Sequence, residues 1–210
     1  LQRALGRPAT WRDAYRHILS FASTLHDRVY LLSARFDEFQ IEVHGAEALH
    51  ASLANQPGAL LVGAHLGSFE VLRAAARDQA DLKIAMLMYE HNARKINAAL
   101  AAINPAAVHD IIALGRVQSM IEARDRLDAG TLVGILADRS LQHDATRAVP
   151  FLGAPASLPL SPWRVAALLQ RPVFFMAGLY LGANRYALHF EPVADFSAVA
   201  REQRDGVIDA

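Results

Sequence analysis

The sequence predicts an α/β fold: a mixed, mostly parallel sheet with helices on both faces, preceded by a long amphipathic N-terminal helix. Three observations carry this reading. Short, continuously apolar runs such as Ala59–Gly63 have the texture of strands buried on both faces. Segments with helical periodicity alternate with them, as in βαβ units. Ahead of both, Trp11, Tyr15, Ile18, Ala22, Leu25, Val29, Leu32 and Phe36 recur at alternating spacings of four and three. That is one apolar stripe on one long helix, Ala9 to Phe36, with most of its charged residues off the stripe. The stripe is read as packing on the domain, with a membrane-surface role as the alternative.

The elements follow in order. Phe39–Val43 reads as a strand with a turn at Gly45, and Ala46–Asn55 as a short helix ended by Pro57-Gly58. Ala59–Gly63 is a strand and Ser68–Gln79 a helix with Ser68 as a candidate N-cap. Leu82–Met88 is strand-like, Asn92–Ala102 helical and stopped before Pro105, and Val108–Leu114 a strand. Val117–Ala129 is a helix closed by Gly130, and Thr131–Ala137 a strand. Asp138–Pro159, with Pro150, Gly153, Pro155 and Pro159, reads as loop. Ser161–Gln170 is a helix with Pro162 in its first turn. Val173–Tyr180 and Arg185–Pro192 are strands joined through Gly182-Ala183-Asn184.

Neither an internal repeat nor a domain linker is visible, so residues 1–210 are read as a single domain. Residues 1–36 form its helical N-terminal segment and 37–210 its α/β core. The chain begins at Leu1 without Met and stops just after a charged, helix-like run, and it is read as a fragment of a longer one. The 21 basic and 21 acidic residues cancel, which argues against nucleic acid as a partner. With no Cys, thiol catalysis, disulfides and Cys-ligated zinc are excluded. No stretch reaches the roughly 18 apolar residues of a membrane-crossing helix.

The segment that carries chemistry is Gly63-Ala64-His65-Leu66-Gly67-Ser68-Phe69-Glu70. His65 stands where a buried strand ends, and sites in parallel α/β sheets gather at the carboxyl ends of strands. Gly63 and Gly67 bracket it and permit a sharp turn. A histidine displayed there suits a general base at neutral pH. Glu70, placed in the following helix, is expected to bond the far ring nitrogen and set the tautomer. The alternative is a capping or core histidine beside a solvated glutamate. Asp138-Arg139 ends another buried strand and falls on the same edge in a parallel sheet, so both are candidates to face the substrate, beside an ordinary structural role. His44, His91, His109, His143 and His189 match no metal-ligand spacing, so no metal is expected. No Gly-x-Gly-x-x-Gly or Walker lysine calls for a nucleotide cofactor.

The Gly63–Glu70 block resembles the His-x4-Glu block of the bacterial lipid A biosynthesis (lauroyl/myristoyl) acyltransferases, within the lysophospholipid acyltransferase-like group. Three further stretches agree in order: Ile41–Gly45 with Glu47, Gly134–Arg139, and Val149–Pro155 with the later Arg171-Pro172-Val173. Together they cover roughly residues 39–193. The resemblance implies acyl transfer from an acyl-carrier-protein or coenzyme A thioester to a hydroxyl of a lipid or glycolipid. His65 would be the base with Glu70 completing the pair, and backbone N–H groups near Gly67 and Ser68 would receive the oxyanion. It also implies an inner-membrane surface as partner, on the cytoplasmic face, peripherally or through an anchor, and no cofactor. Where the family pattern has a Tyr-Arg pair, this chain has Tyr89-Glu90, and Arg94, Arg116 and Arg139 are the candidate substitutes toward substrate. That departure leaves the acceptor open between the lipid A precursor and another lipid or polyene-type product. The apolar stretch Pro150–Leu160 is a candidate acyl-channel lining, beside ordinary loop packing. Two rivals stand beside acyl transfer: thioester or ester hydrolysis by the same dyad, and a non-catalytic lipid or acyl-carrier binding module.

Overall fold

The computed structural model describes residues 1–76, 83–89, 98, 102–103, 111–140 and 144–209. Within them the chain forms α1 (Gln2–Leu5), α2 (Trp11–Leu32), β1 (Gln40–His44), α3 (Ala46–Asn55), β2 (Ala59–Gly67) and α4 (Val71–Ala76). There follow β3 (Ile84–Tyr89), β4 (Ile111–Leu114), α5 (Val117–Asp128), β5 (Leu132–Leu136), β6 (Thr146–Phe151) and β7 (Ala154–Pro159). The chain closes with α6 (Ser161–Leu169), β8 (Pro172–Gly182), β9 (Arg185–Asp195) and α7 (Arg204–Asp209).

One sheet runs β1-β9-β8-β2-β5-β3-β4, and β6 and β7 pair apart from it. Every pairing in the large sheet is parallel except β8 with β9. The predicted fold class is therefore the observed one. Strand alternation sorts the core: Leu60 and Val62 of β2 join Ala123 and Leu127 of α5 and Ala166 and Leu169 of α6 on one face. Ala59 and Leu61 join Leu49 of α3 and Leu72 and Ala76 of α4 on the other. Each leucine so buried contributes about 1.5–3 kcal/mol.

Several elements differ from expectation. The long helix starts after Thr10, whose hydroxyl accepts the Asp13 N–H while Asp13 accepts the Thr10 N–H, a capping box. Arg7 binds both Asp13 oxygens, at 2.8 and 2.9 Å. That pair, with the Thr10 bonds, holds the Asp13 carboxyl well below the usual carboxylate range. The helix stops at Leu32, because Ala34 turns left-handed (φ 57°) and the Ser33 hydroxyl bonds the Val29 carbonyl. A 3-10 turn, Phe36–Glu38, follows.

The apolar stripe stays exposed from Trp11 to Val29, and only its end, Leu32 and Phe36, packs on the domain. Trp11 is 73% and Ile18 64% exposed, and Tyr15, Phe21, Leu25 and Val29 are exposed as well. Only Asp27, Leu31 and Leu32 are buried, so α2 meets the sheet through its last turns.

β2 runs to Gly67, four residues beyond the apolar run, because β8 continues beside it and Gly67 pairs with Gly178. α4 then begins at Val71 rather than Ser68, since the Ser68 N–H bonds the Gly178 carbonyl at 2.8 Å. The segment read as loop contains the β6–β7 hairpin. Leu152 (φ 49°) and Gly153 (φ 75°) form its two-residue turn, and its prolines sit in a two-stranded ribbon where missing N–H donors are tolerated. The helix expected over Asn92–Ala102 falls almost wholly outside the described residues, as do Leu82, residues 77–79 and Val108–Asp110.

A buried hydrogen bond seats α2: the Tyr186 hydroxyl on β9 donates to Asp27 at 2.8 Å. Burial first, then that bond and the Asp27 charge, push the phenol well above its ordinary pKa. Tyr186→Phe should therefore lower stability by about 1–3 kcal/mol at neutral pH, because Asp27 stays buried without its donor. Urea unfolding midpoints measure the loss. An unfolded tyrosine ionises near pH ~10 while the folded one stays protonated, so this contribution is present below that pH and is lost as pH rises. Stability of the variant should fall less steeply than wild type between about pH 9 and 11.

Candidate active site

β2 and β5 are parallel neighbours in register, Gly63 opposite Leu136. The Ala137 N–H bonds the Gly63 carbonyl at 2.8 Å and extends the ladder one step. Two residues past the paired positions, His65 and Asp138 come abreast at the carboxyl edge of the sheet. One carboxylate then holds the histidine twice. Asp138 Oδ1 lies 2.8 Å from His65 Nδ1, and Oδ2 accepts the His65 backbone N–H at 3.1 Å.

An ionised carboxylate only accepts, so Nδ1 carries the proton of the neutral ring and Nε2 carries the lone pair. Burial opposes ionisation of Asp138. The ring and backbone hydrogen bonds from His65 outweigh that, and the Asp138 carboxyl rests below the usual range. His65 remains open to solvent, its side chain 44% exposed. An oriented imidazole with a free Nε2 at a sheet edge has the form of a general base.

Glu70 is placed elsewhere. It lies in the turn before α4, not within a helix, and its Oε1 accepts from Arg28 of α2, Nε at 3.2 Å and Nη2 at 2.9 Å. Among the described residues no hydrogen bond joins it to His65. The carboxylate expected on the ring from Glu70 is thus supplied by Asp138, bonded to Nδ1. Arg28 was not singled out by the sequence, where it reads as one of several charges off the helix stripe. Ser68 is buried with its N–H engaged by Gly178, so that N–H is not aimed at an oxyanion.

Gly67 has a structural reason. Its φ is +72°, and a Cβ there would fall 1.8 Å from the Gly178 carbonyl oxygen. Arg139 follows Asp138 and is exposed. Arg116 stands at the start of α5, just past β4 on the same sheet edge. Arg94 and Glu90 lie outside the described residues. Tyr89, ending β3 on that edge, donates to Asp144 at 3.4 Å. Pro150–Leu160 divides between the hairpin and the chain leading to α6, with Phe151 and Leu152 exposed at the tip beside residues of α1. His44 and His189 stack at 4.6 Å across β1 and β9. Among the described residues no group of three or more His, Asp or Glu is arranged to hold a metal.

The family model for bacterial lipid A biosynthesis acyltransferases matches residues 24–205. The chain belongs to that family. It is accordingly an acyltransferase of the lipid A acyltransferase type. The matched span takes in His65, Asp138, Glu70 and Arg28, and leaves out α1 and the first half of α2. No curated protein matches the chain. No helix among the described residues of this lipid A acyltransferase relative is long and apolar enough to cross a membrane.

Gly67→Ala should destabilise the protein by about 2–4 kcal/mol, combining left-handed backbone strain with overpacking against Gly178. Thermal unfolding beside a Gly153→Ala control, where a Cβ meets nothing within 4 Å, separates the clash from the strain.

Proposed function

We propose that this acyltransferase moves a fatty acyl group from an acyl-carrier-protein or coenzyme A thioester to a hydroxyl of a lipid or glycolipid, with His65 as general base. The observation that carries the proposal is the His65–Asp138 pair, in which one carboxylate fixes the ring and leaves Nε2 for the acceptor. Nε2 takes the hydroxyl proton as the oxygen attacks the thioester carbonyl. The tetrahedral intermediate collapses, the C–S bond breaks, and the imidazolium returns its proton to the leaving thiolate. Asp138 stabilises the imidazolium in between, a role worth several powers of ten in related constellations. Glu70 supplies a second carboxylate beside the same strand end. Arg116 and Arg139 are the described cations offered toward the anionic parts of donor or acceptor.

The acceptor's setting is a membrane surface, which we place at the cytoplasmic face of the inner membrane. The support is α2, whose apolar stripe is exposed from Trp11 to Val29. Arg3, Arg7, Arg12 and Arg16 against Asp13 alone give this end of the chain a positive balance that suits anionic lipid.

The decisive assay gives the protein a labelled acyl carrier protein and a total lipid extract. Label should enter lipid, and His65→Ala and Asp138→Asn should each lower that rate by about 10²–10⁴-fold with the fold retained. Free fatty acid as sole product would replace transfer by hydrolysis, and no donor consumption would leave a binding module.

A second test addresses the surface. Ile18→Glu and Leu25→Glu should each weaken flotation with anionic vesicles by about tenfold or more, since each removes an apolar side chain from the lipid contact. Their unfolding midpoints should stay near wild type because both positions are already exposed.

A further inference from the structure

The Arg28–Glu70 pair joins elements 42 residues apart and lies outside the His65–Asp138 contact. Glu70 sits at the turn between β2 and α4 with its side chain only 14% exposed. A carboxylate so enclosed requires a donor, and Arg28 brings two, both to Oε1, leaving Oε2 outside the pair. The aim of Arg28 is itself fixed. Its neighbour Asp27 is bound to Tyr186 on β9, which sets the rotation of the helix. Leu31, one turn on, is buried with Val71 and Ala74 of α4. With those contacts made, the next residue round the helix, about 100° from Asp27, falls over the β2–α4 turn.

We infer that Arg28 is a positioning residue for acyl transfer: it holds the Glu70 carboxylate in one orientation beside the end of β2 and presents Oε2 to the bound substrate. The inference rests on the acyl-transfer reading and makes the last turns of α2 part of the site's frame. Arg28 touches no reacting atom. Its effect runs through Glu70 and should appear in kcat rather than in fold stability alone.

The test is a double-mutant cycle on the full chain, read both as acyl transfer into lipid and as urea unfolding. Arg28→Gln should lower kcat by about 10²-fold, the order expected when a functional group is misplaced by an ångström. Arg28→Gln with Glu70→Gln should be no slower than Glu70→Gln alone, and Arg28→Lys should recover part of the rate. The exchanged pair, Arg28→Glu with Glu70→Arg, should restore the unfolding midpoint but not turnover. Turnover restored by the exchange would reduce the pair to a structural link and overturn the inference. So would wild-type turnover in Arg28→Gln, or losses that multiply in the double variant. Wild-type transfer in Glu70→Gln with transfer lost in His65→Ala would sink this inference and leave acyl transfer standing. Transfer unaffected in both would overturn this inference and His65 as the base, and no transfer by the wild-type protein would sink the acyl-transfer reading itself.

Discussion

The register of β2 against β5 is the constraint on which the site depends. With Gly63 opposite Leu136, the two chains leave the sheet side by side, and His65 and Asp138 arrive abreast without any long-range loop to aim them. The register is set far from the chemistry, by Leu60, Val62, Val133 and Ile135 on one face of the sheet and Ala59, Leu61 and Leu132 on the other. A slip by one residue would exchange those faces and turn His65 away. The opposite side of β2 is held equally firmly. A Cβ on Gly67 would strike the Gly178 carbonyl and one on Gly178 the Ser68 carbonyl, and the Ser68 N–H closes the contact on Gly178. The end of β2 is thereby fixed from both neighbours, which is the pre-organisation that proton transfer by a histidine requires.

The N-terminal helix has two parts with different physics. Its last turns are docked by polar contacts as much as by apolar ones: Asp27 on Tyr186, Arg28 on Glu70, and Leu31 beneath them. Its earlier turns carry large apolar side chains that are exposed. An amphipathic helix normally turns its stripe to the core. Here most of the stripe and the docking residues Asp27, Arg28 and Leu31 point in different directions, and one of the three residues buried in the final turns is an aspartate. This arrangement leaves the apolar face available for a second environment while the same helix stays registered to the sheet.

The fold class was legible because its signals are local. Apolar strands alternating with short helices force a parallel sheet, and α3 was read to the residue. Boundaries were less legible where a neighbouring strand decides them. β2 outruns its apolar stretch only because β8 continues beside it, and Ser68 loses its capping role to a carbonyl 110 residues away. The hairpin β6–β7 was hidden by its prolines, which argue against a strand inside a sheet but not in a separate ribbon. In the site, His65 and Asp138 were both visible as residues ending buried strands. Their pairing was not, since strand order is not written in either segment. The α2 stripe differs from expectation for a related reason: periodicity shows that a face is apolar but not what it faces.

The spacing from His65 to Glu70 acquires a different meaning in this light. Read along a helix, five residues suggest two side chains acting on one another. The chain between them is not helical: it finishes a strand, takes a left-handed step at Gly67, and turns at Phe69-Glu70 before α4 begins. That path sends the two side chains to different partners, one to the sheet edge and one to the N-terminal helix. Asp138, on a short side chain, reaches the ring and the backbone of His65 together, which a longer glutamate on a turn is less suited to do. The motif therefore joins two separately supported carboxylates to one strand end. Asp138 answers to the sheet and Glu70 to α2, so on the proposed reading both elements must be seated before the site is complete.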